Sequence, residues 1–245
     1  MTQNLLCSKQ EITRRIPSSA QTSISWSGYQ WFLKDQPSWG PGPNEWSSSN
    51  VWIDQNNRLH LKLRQSGPNG RCTCAELYTQ TKFGYGTYRW YVEGTIDRFD
   101  PNVVVGLFTY GGVDGINEID IEVAKWGQTS SNASNLFYTV YPSSLGGQSS
   151  TSSSTLMSLE GTYTSHQFTW STYQVDFKSQ HGHFIDPNYN VFSSYQTPSS
   201  FNCLIPQDTA PLHMNLWLFQ GQAPIDGQEV EVIIHNFQYT PICPI

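Results

Sequence analysis

The stretch Asn117-Glu118-Ile119-Asp120-Ile121-Glu122-Val123 alternates acidic with apolar residues, and an alternation of period two is the pattern of a β-strand with one face buried. Ile119, Ile121 and Val123 must meet a core, so Glu118, Asp120 and Glu122 share the opposite face. With a rise of about 3.3 Å per residue, the Cα atoms of Glu118 and Glu122 lie about 13 Å apart. Side chains leaning together on a curved sheet shorten that span. Carboxyls about 5 to 5.5 Å apart suit double-displacement glycoside hydrolysis, in which one attacks the anomeric carbon and the other protonates the leaving oxygen. Asp120, set between them, adds repulsion and hydrogen bonding that hold one carboxyl protonated while another stays ionised. Two other readings stand beside this one. A solvated strand face is disfavoured because like charges in a row repel, and a calcium or magnesium site lacks a neighbouring Asp/Asn-Gly loop to supply further oxygens.

The 245 residues suffice for one full core. Only 13% of them are charged while 14% are aromatic, so the surface is built largely from Ser, Thr, Asn, Gln and aromatic side chains. Neutral, hydroxyl-rich ligands such as sugars tend to meet surfaces of that kind. A net charge of −6, with no basic cluster beyond Arg14-Arg15, argues against nucleic acid and against an anionic polymer as partner. No apolar run approaches the roughly 20 residues that cross a bilayer, so no membrane partner is expected. Residues 1–17 lack the apolar core of a signal peptide, because Cys7 to Glu11 interrupt it. Five cysteines leave at least one unpaired within the chain. Cys72 and Cys74 would stand about 6.7 Å apart on a strand, near the limit for a disulfide, and Cys7 and Cys243 lie near the two termini, which often approach each other. No cysteine or histidine spacing suggests zinc.

Residues 1–20 are polar and aperiodic, a tail or strap. Trp26, Tyr29, Trp31, Phe32, Trp39 and Trp46 then surround Gly40-Pro41-Gly42-Pro43-Asn44, where proline and glycine favour a rigid loop. Such a loop, with Asn44 as a candidate contact, either stacks on sugar rings or plugs the edge of a core. Val51–Asp54 and Arg58–Gln65 read as a hairpin, and further strands are expected at 74–81, 86–92, 103–110, 166–170, 173–178, 213–219 and 230–239. Residues 142–158 are rich in Ser and Gly and read as a long mobile loop. No amphipathic helix is evident. Many short strands between Gly/Pro/Asn turns imply an all-β, antiparallel sandwich or barrel.

Glu118-Ile119-Asp120-Ile121-Glu122 resembles the signature of glycoside hydrolase family 16, in the form carried by its lichenase and xyloglucan endotransglycosylase branches. Flanking segments resemble the family in the same order: Cys74-Ala75-Glu76, Phe83 to Tyr88, Gly106 to Tyr110, His166 to Trp170 and Met214 to Trp217. The resemblance runs from about residue 29 to 239. It implies an antiparallel two-sheet jelly-roll sandwich, concanavalin-like, with an open cleft, and residues 21–245 as one catalytic domain. Glu118 then matches the nucleophile, Glu122 the general acid/base and Asp120 the assisting carboxylate. Glu76, Phe108, Asn215 and Trp217 match sugar-contacting positions, although a structural ion pair for Glu76 and a core position for Trp217 compete with that role. The implied partner is a polysaccharide or oligosaccharide, with no cofactor, and the implied protein is monomeric and secreted.

This chain departs from the lichenases at several positions. Ile116 and Tyr78 stand where a Trp and an Arg are expected. The structural calcium ligand in the last strand appears as Asn236, which supplies an oxygen without a charge. Trp126 has no counterpart and offers a new platform. Transglycosylation on the same site, or carbohydrate binding without cleavage, are the alternatives to hydrolysis.

Overall fold

The computed structural model describes residues 21–65, 71–143 and 149–242. Its strands, in chain order, are β1 (Ser23–Trp26), β2 (Tyr29–Leu33), β3 (Gln36–Trp39), β4 (Asn44–Trp46), β5 (Val51–Ile53), β6 (Leu59–Leu63), β7 (Thr73–Phe83), β8 (Gly86–Glu93), β9 (Val103–Tyr110), β10 (Glu118–Ala124), β11 (Leu136–Tyr141), β12 (Thr151–Thr155), β13 (Tyr163–Trp170), β14 (Val175–His181), β15 (Val191–Gln196), β16 (Ala210–Leu218) and β17 (Val230–Pro241). Short 3-10 turns are the only helical elements among the described residues, and no helix there is long and apolar enough to cross a membrane.

Two sheets form the sandwich. One runs β1-β2-β7-β16-β9-β10-β11-β12, with the β3–β4 pair attached to β7, and the other runs β15-β14-β13-β8-β17-β6-β5. Every pairing is antiparallel except that of β4 with β7. Of the sandwich or barrel that the strand pattern allows, the chain forms the sandwich, as the jelly roll implied by the family resemblance requires.

The inward halves of the strands make the core. Leu77, Met214, Leu107, Ile121 and Tyr138 form one rung across five strands, each at most 2% exposed. Burying a side chain such as Ile121 contributes about 2 kcal/mol. Tyr138 stacks on Phe177 of the opposite sheet with ring centroids 4.9 Å apart, and its hydroxyl donates to Ser179 Oγ at 2.7 Å. That bond satisfies a buried phenol and ties the layers together.

Several expectations are corrected. Residues 142–158 are not one loop, because Thr151–Thr155 pair with β11; Ser and Thr can hold an edge strand when the partner strand supplies the apolar face. Residues 144–148 lie outside the described residues, as do the proposed tail and both members of the Cys7/Cys243 pair. The aromatic loop is confined to residues 40–43, between β3 and β4. Cys72, Cys74 and Cys203 are free thiols, so no Cys72–Cys74 bridge forms.

Candidate active site

The acidic strand β10 lies inside its sheet, hydrogen-bonded to β9 on one side and β11 on the other. Ile119, Ile121 and Val123 are at most 2% exposed, and this burial turns the three carboxyls outward. Asp120 is 4% exposed, while Glu118 and Glu122 on either side of it are half-buried. Left-handed backbone brackets the strand, at Asn117 (φ 50°) and Trp126 (φ 52°). Asn tolerates that conformation, whereas for Trp it carries strain.

Among the described residues, no Lys, Arg or His forms an ion pair with any of the three acids. Their charge is therefore relieved by protons. Burial first, then repulsion from Glu122 and Asp114, pushes Glu118 up to about 8. Burial pushes Glu122 up to about 7. Burial and both glutamates hold Asp120 well above the usual carboxylate range. The three titrate as one set. Such a set keeps a proton to donate near neutral pH, and losing one proton generates a nucleophilic carboxylate.

The neighbours in register define the rest of the face. Glu118 lies opposite Tyr110 and Tyr141, Asp120 opposite Phe108 and Thr139, and Glu122 opposite Gly106 and Phe137. Burial together with the nearby carboxylates raises Tyr141, so its phenol stays protonated. Tyr110 donates to Asp114 Oδ1 at 2.6 Å, and burial with that bond raises it as well.

The rungs continue through β16 to β7, bringing Glu76, Phe108 and Asn215 onto the carboxylate face. Glu76 is 5% exposed and both of its oxygens are engaged. Oε1 lies 3.1 Å from His213 Nδ1, and Oε2 lies 2.8 Å from Lys34 Nζ. Lys34 in turn sits 4.0 Å from the centroid of the Trp46 ring. The ion-pair alternative for Glu76 is thus the arrangement found. Asn215, 2% exposed, leaves its Oδ1 without a partner, an orphaned acceptor on the rung of Glu122.

Trp217 is 8% exposed and belongs to the packed core. Its outer contact is Trp126, at 6.2 Å between centroids. Trp126 also meets Phe137 at 5.8 Å and Phe219 at 5.6 Å, so these rings close the face beyond Glu122. Asn44 is committed to the fold: Nδ2 donates to Pro41 O at 2.7 Å and to Leu218 O at 2.9 Å. Ile116 is buried at 8% exposure, and Tyr78 stacks on His213. Asn236 Oδ1 accepts from Ser27 Oγ at 2.9 Å. No group of three His, Cys, Asp or Glu able to hold a metal ion occurs among the described residues.

Sequence reasoning missed Tyr110, Asp114, Tyr141, Phe137, Lys34 and His213. Tyr110 and Phe108 share the parity of one strand, which was a usable signal. Tyr141 and Phe137 alternate within an unrecognised strand. Lys34 and His213 reach Glu76 only through pairing across sequence-distant strands.

A β-sandwich with three uncompensated carboxyls on one face of an interior strand is the class of protein that this fold and site define. No protein-family model and no curated protein matches the sequence. Solved structures do match. The β-glucanase of Bacillus licheniformis is 21% identical, with a TM-score of 0.62 over 86% of this chain and 92% of that one. A Bacteroides ovatus mixed-linkage glucan GH16 protein in complex with a G4G4G3G product is 14% identical, with a TM-score of 0.64 over 86% and 94%. A Mycobacterium tuberculosis protein described as an immunostimulatory antigen and pseudo β-1,3-glucanase is 14% identical, with a TM-score of 0.63 over 87% and 91%. The chain has the fold of the family 16 β-glucanases.

Proposed function

We propose that the chain is a glycoside hydrolase of family 16, a retaining endo-β-glycanase acting on a neutral polysaccharide, with β-1,3/1,4-glucan the leading candidate. Glu118 attacks the anomeric carbon while protonated Glu122 donates to the leaving oxygen. Glu122 then takes a proton from water, which releases the sugar with retained configuration. Asp120, holding its proton between them, supports the charge that Glu118 carries before attack and regains when the sugar is released. The reaction as written uses no metal or organic cofactor. The observation that carries this reading is the set of three carboxyls facing outward on β10 with no cationic partner among the described residues, an arrangement that is costly unless it is used. The raised values belong to the set as a whole, and the roles of nucleophile and acid follow from the position of each glutamate in the family motif. On the same reading the enzyme is secreted and monomeric.

The test is release of reducing ends from barley mixed-linkage β-glucan, with laminarin, xyloglucan and agarose alongside. The native chain should act on one of them, and Glu118→Ala should lose activity by several orders of magnitude while remaining folded. Near-full activity in Glu118→Ala would sink the assignment. A second reading, binding without cleavage, draws on the mycobacterial neighbour described as a pseudo β-1,3-glucanase. It predicts glycan affinity with no new reducing ends. Redistribution of chain lengths without new ends would point instead to transglycosylation.

A further inference from the structure

His213 stands on the carboxylate face, in the rung that runs from Tyr78 through His213 and Phe108 to Asp120. Both faces of its imidazole are covered. Tyr78 stacks on one side with centroids 5.2 Å apart and planes at 15°, and Phe108 stacks on the other at 5.1 Å and 27°. One edge is also held, because Nδ1 lies 3.1 Å from Glu76 Oε1. An ionised carboxylate only accepts, so Nδ1 carries a proton and donates it to Glu76. Lys34, 2.8 Å from the other oxygen of Glu76, fixes that carboxylate in turn. The ring therefore has one orientation and one tautomer.

What remains is Nε2. It has no hydrogen-bond partner among the described residues, and although Tyr110 meets the imidazole with centroids 5.7 Å apart and planes at 89°, this nitrogen is not among the fully buried polar atoms left without a partner, so it meets solvent. Ring faces in this rung are turned against one another. A sugar lying over it meets aromatic edges and a single polar atom. We propose that His213 is a sugar-contacting residue, its Nε2 hydrogen-bonded to a hydroxyl of the glycan unit seated over the Phe108 rung beside Asp120. A hydroxyl both gives and takes a hydrogen bond, so it suits Nε2 whether that atom is bare or protonated. The proposal rests on the glycanase reading above, and it adds a specificity contact where Tyr78, in place of an Arg, offers its ring to the stack.

The experiment is calorimetric titration of the Glu118→Gln protein with a β-1,3/1,4-glucan tetrasaccharide, and of the same protein carrying His213→Phe. Phe preserves the stack and removes both nitrogens. The expected result is about tenfold weaker binding for the double variant, the size of one lost hydrogen bond. Monodeoxy versions of the tetrasaccharide give the readout that a merely structural role would not move: with the sugar lacking the contacted hydroxyl, the two proteins should bind equally. Equal affinity for the intact tetrasaccharide overturns the His213 contact alone. A penalty that persists unchanged with every monodeoxy sugar also overturns it, since the effect would then be structural. Failure of the Glu118→Gln protein to bind at all overturns both this contact and the glucanase reading on which it rests.

Discussion

Gly106 lies directly opposite Glu122, and a Cβ placed there would come within 2.6 Å of Asn215 Oδ1 and 3.3 Å of Phe108 Cδ1. The missing side chain is what lets a buried amide sit on the rung of a site acid. Gly106→Ala should push Asn215 and Phe108 aside at a cost of about 1 to 3 kcal/mol. For a chain of this size that is a fall in Tm of about 2 to 4 °C per kcal/mol. Glycan cleavage should drop by more than the small loss of folded protein explains, and melting curves with initial rates on the same preparation check this.

Stability should depend on pH in an unusual direction for an acidic protein. A carboxyl whose pKa is higher folded than unfolded binds its proton more tightly in the folded state, so that contribution is complete below the unfolded value and is lost as pH rises through the folded one. For Glu118 the window runs from 4.5 to about 8, and for Glu122 from 4.5 to about 7. Tm should therefore decline from pH 5 to pH 8. Asp120→Asn removes a group that must take up a proton when the chain folds, so it should flatten the decline and raise Tm at pH 8. A flat profile in the native chain would contradict the protonated set.

The same protons govern the rate. One group must be ionised and another protonated, which gives a bell-shaped dependence of kcat/KM on pH. Both limbs should lie above the ordinary carboxylate range, near 7 and 8, and they belong to the set as a whole. An acid limb near 4 would mean that the face is far wetter than its burial indicates.

Asn44→Ala should act on the fold and leave the sugar alone. It removes the two hydrogen bonds that Nδ2 donates and the weak one that Oδ1 accepts from Cys74 Sγ, and leaves the Leu218 carbonyl without this donor, a cost of about 2 kcal/mol. Thermal melting should register the loss while KM stays unchanged.

Trp126→Ala should separate packing from recognition. The half-buried ring touches Trp217, Phe137 and Phe219, so its removal should cost about 2 kcal/mol. Trp126→Gly should recover part of that cost, because glycine accepts the left-handed backbone found there. If Trp126 is a platform for sugar, both variants weaken binding equally.

The sequence announces the sandwich and its acidic strand because the alternation of β10 is uninterrupted and because short β-branched and aromatic runs such as β8 and β9 recur between turn residues. β12 was hidden because Thr151 to Thr155 carry no apolar residue, and β15 because Val191, Phe192 and Tyr195 do not alternate with polar residues; each is held by the strand beside it. At the site, the carboxylates were legible from a single strand. The contact of Glu76 with His213 and Lys34 was not, because it depends on the pairing of β7 with β16 and on the approach of β2, and no local pattern encodes that register.

The alternation in β10 has a second effect. Sliding this strand by one residue against β9 and β11 would place Glu118, Asp120 and Glu122 in the apolar layer and expose Ile119, Ile121 and Val123 to water. Mispaired chains would bear that penalty three times over, along an interior strand with neighbours on both edges. The acids that a glycanase would use for bond cleavage thereby also proofread the assembly of the sheet that displays them.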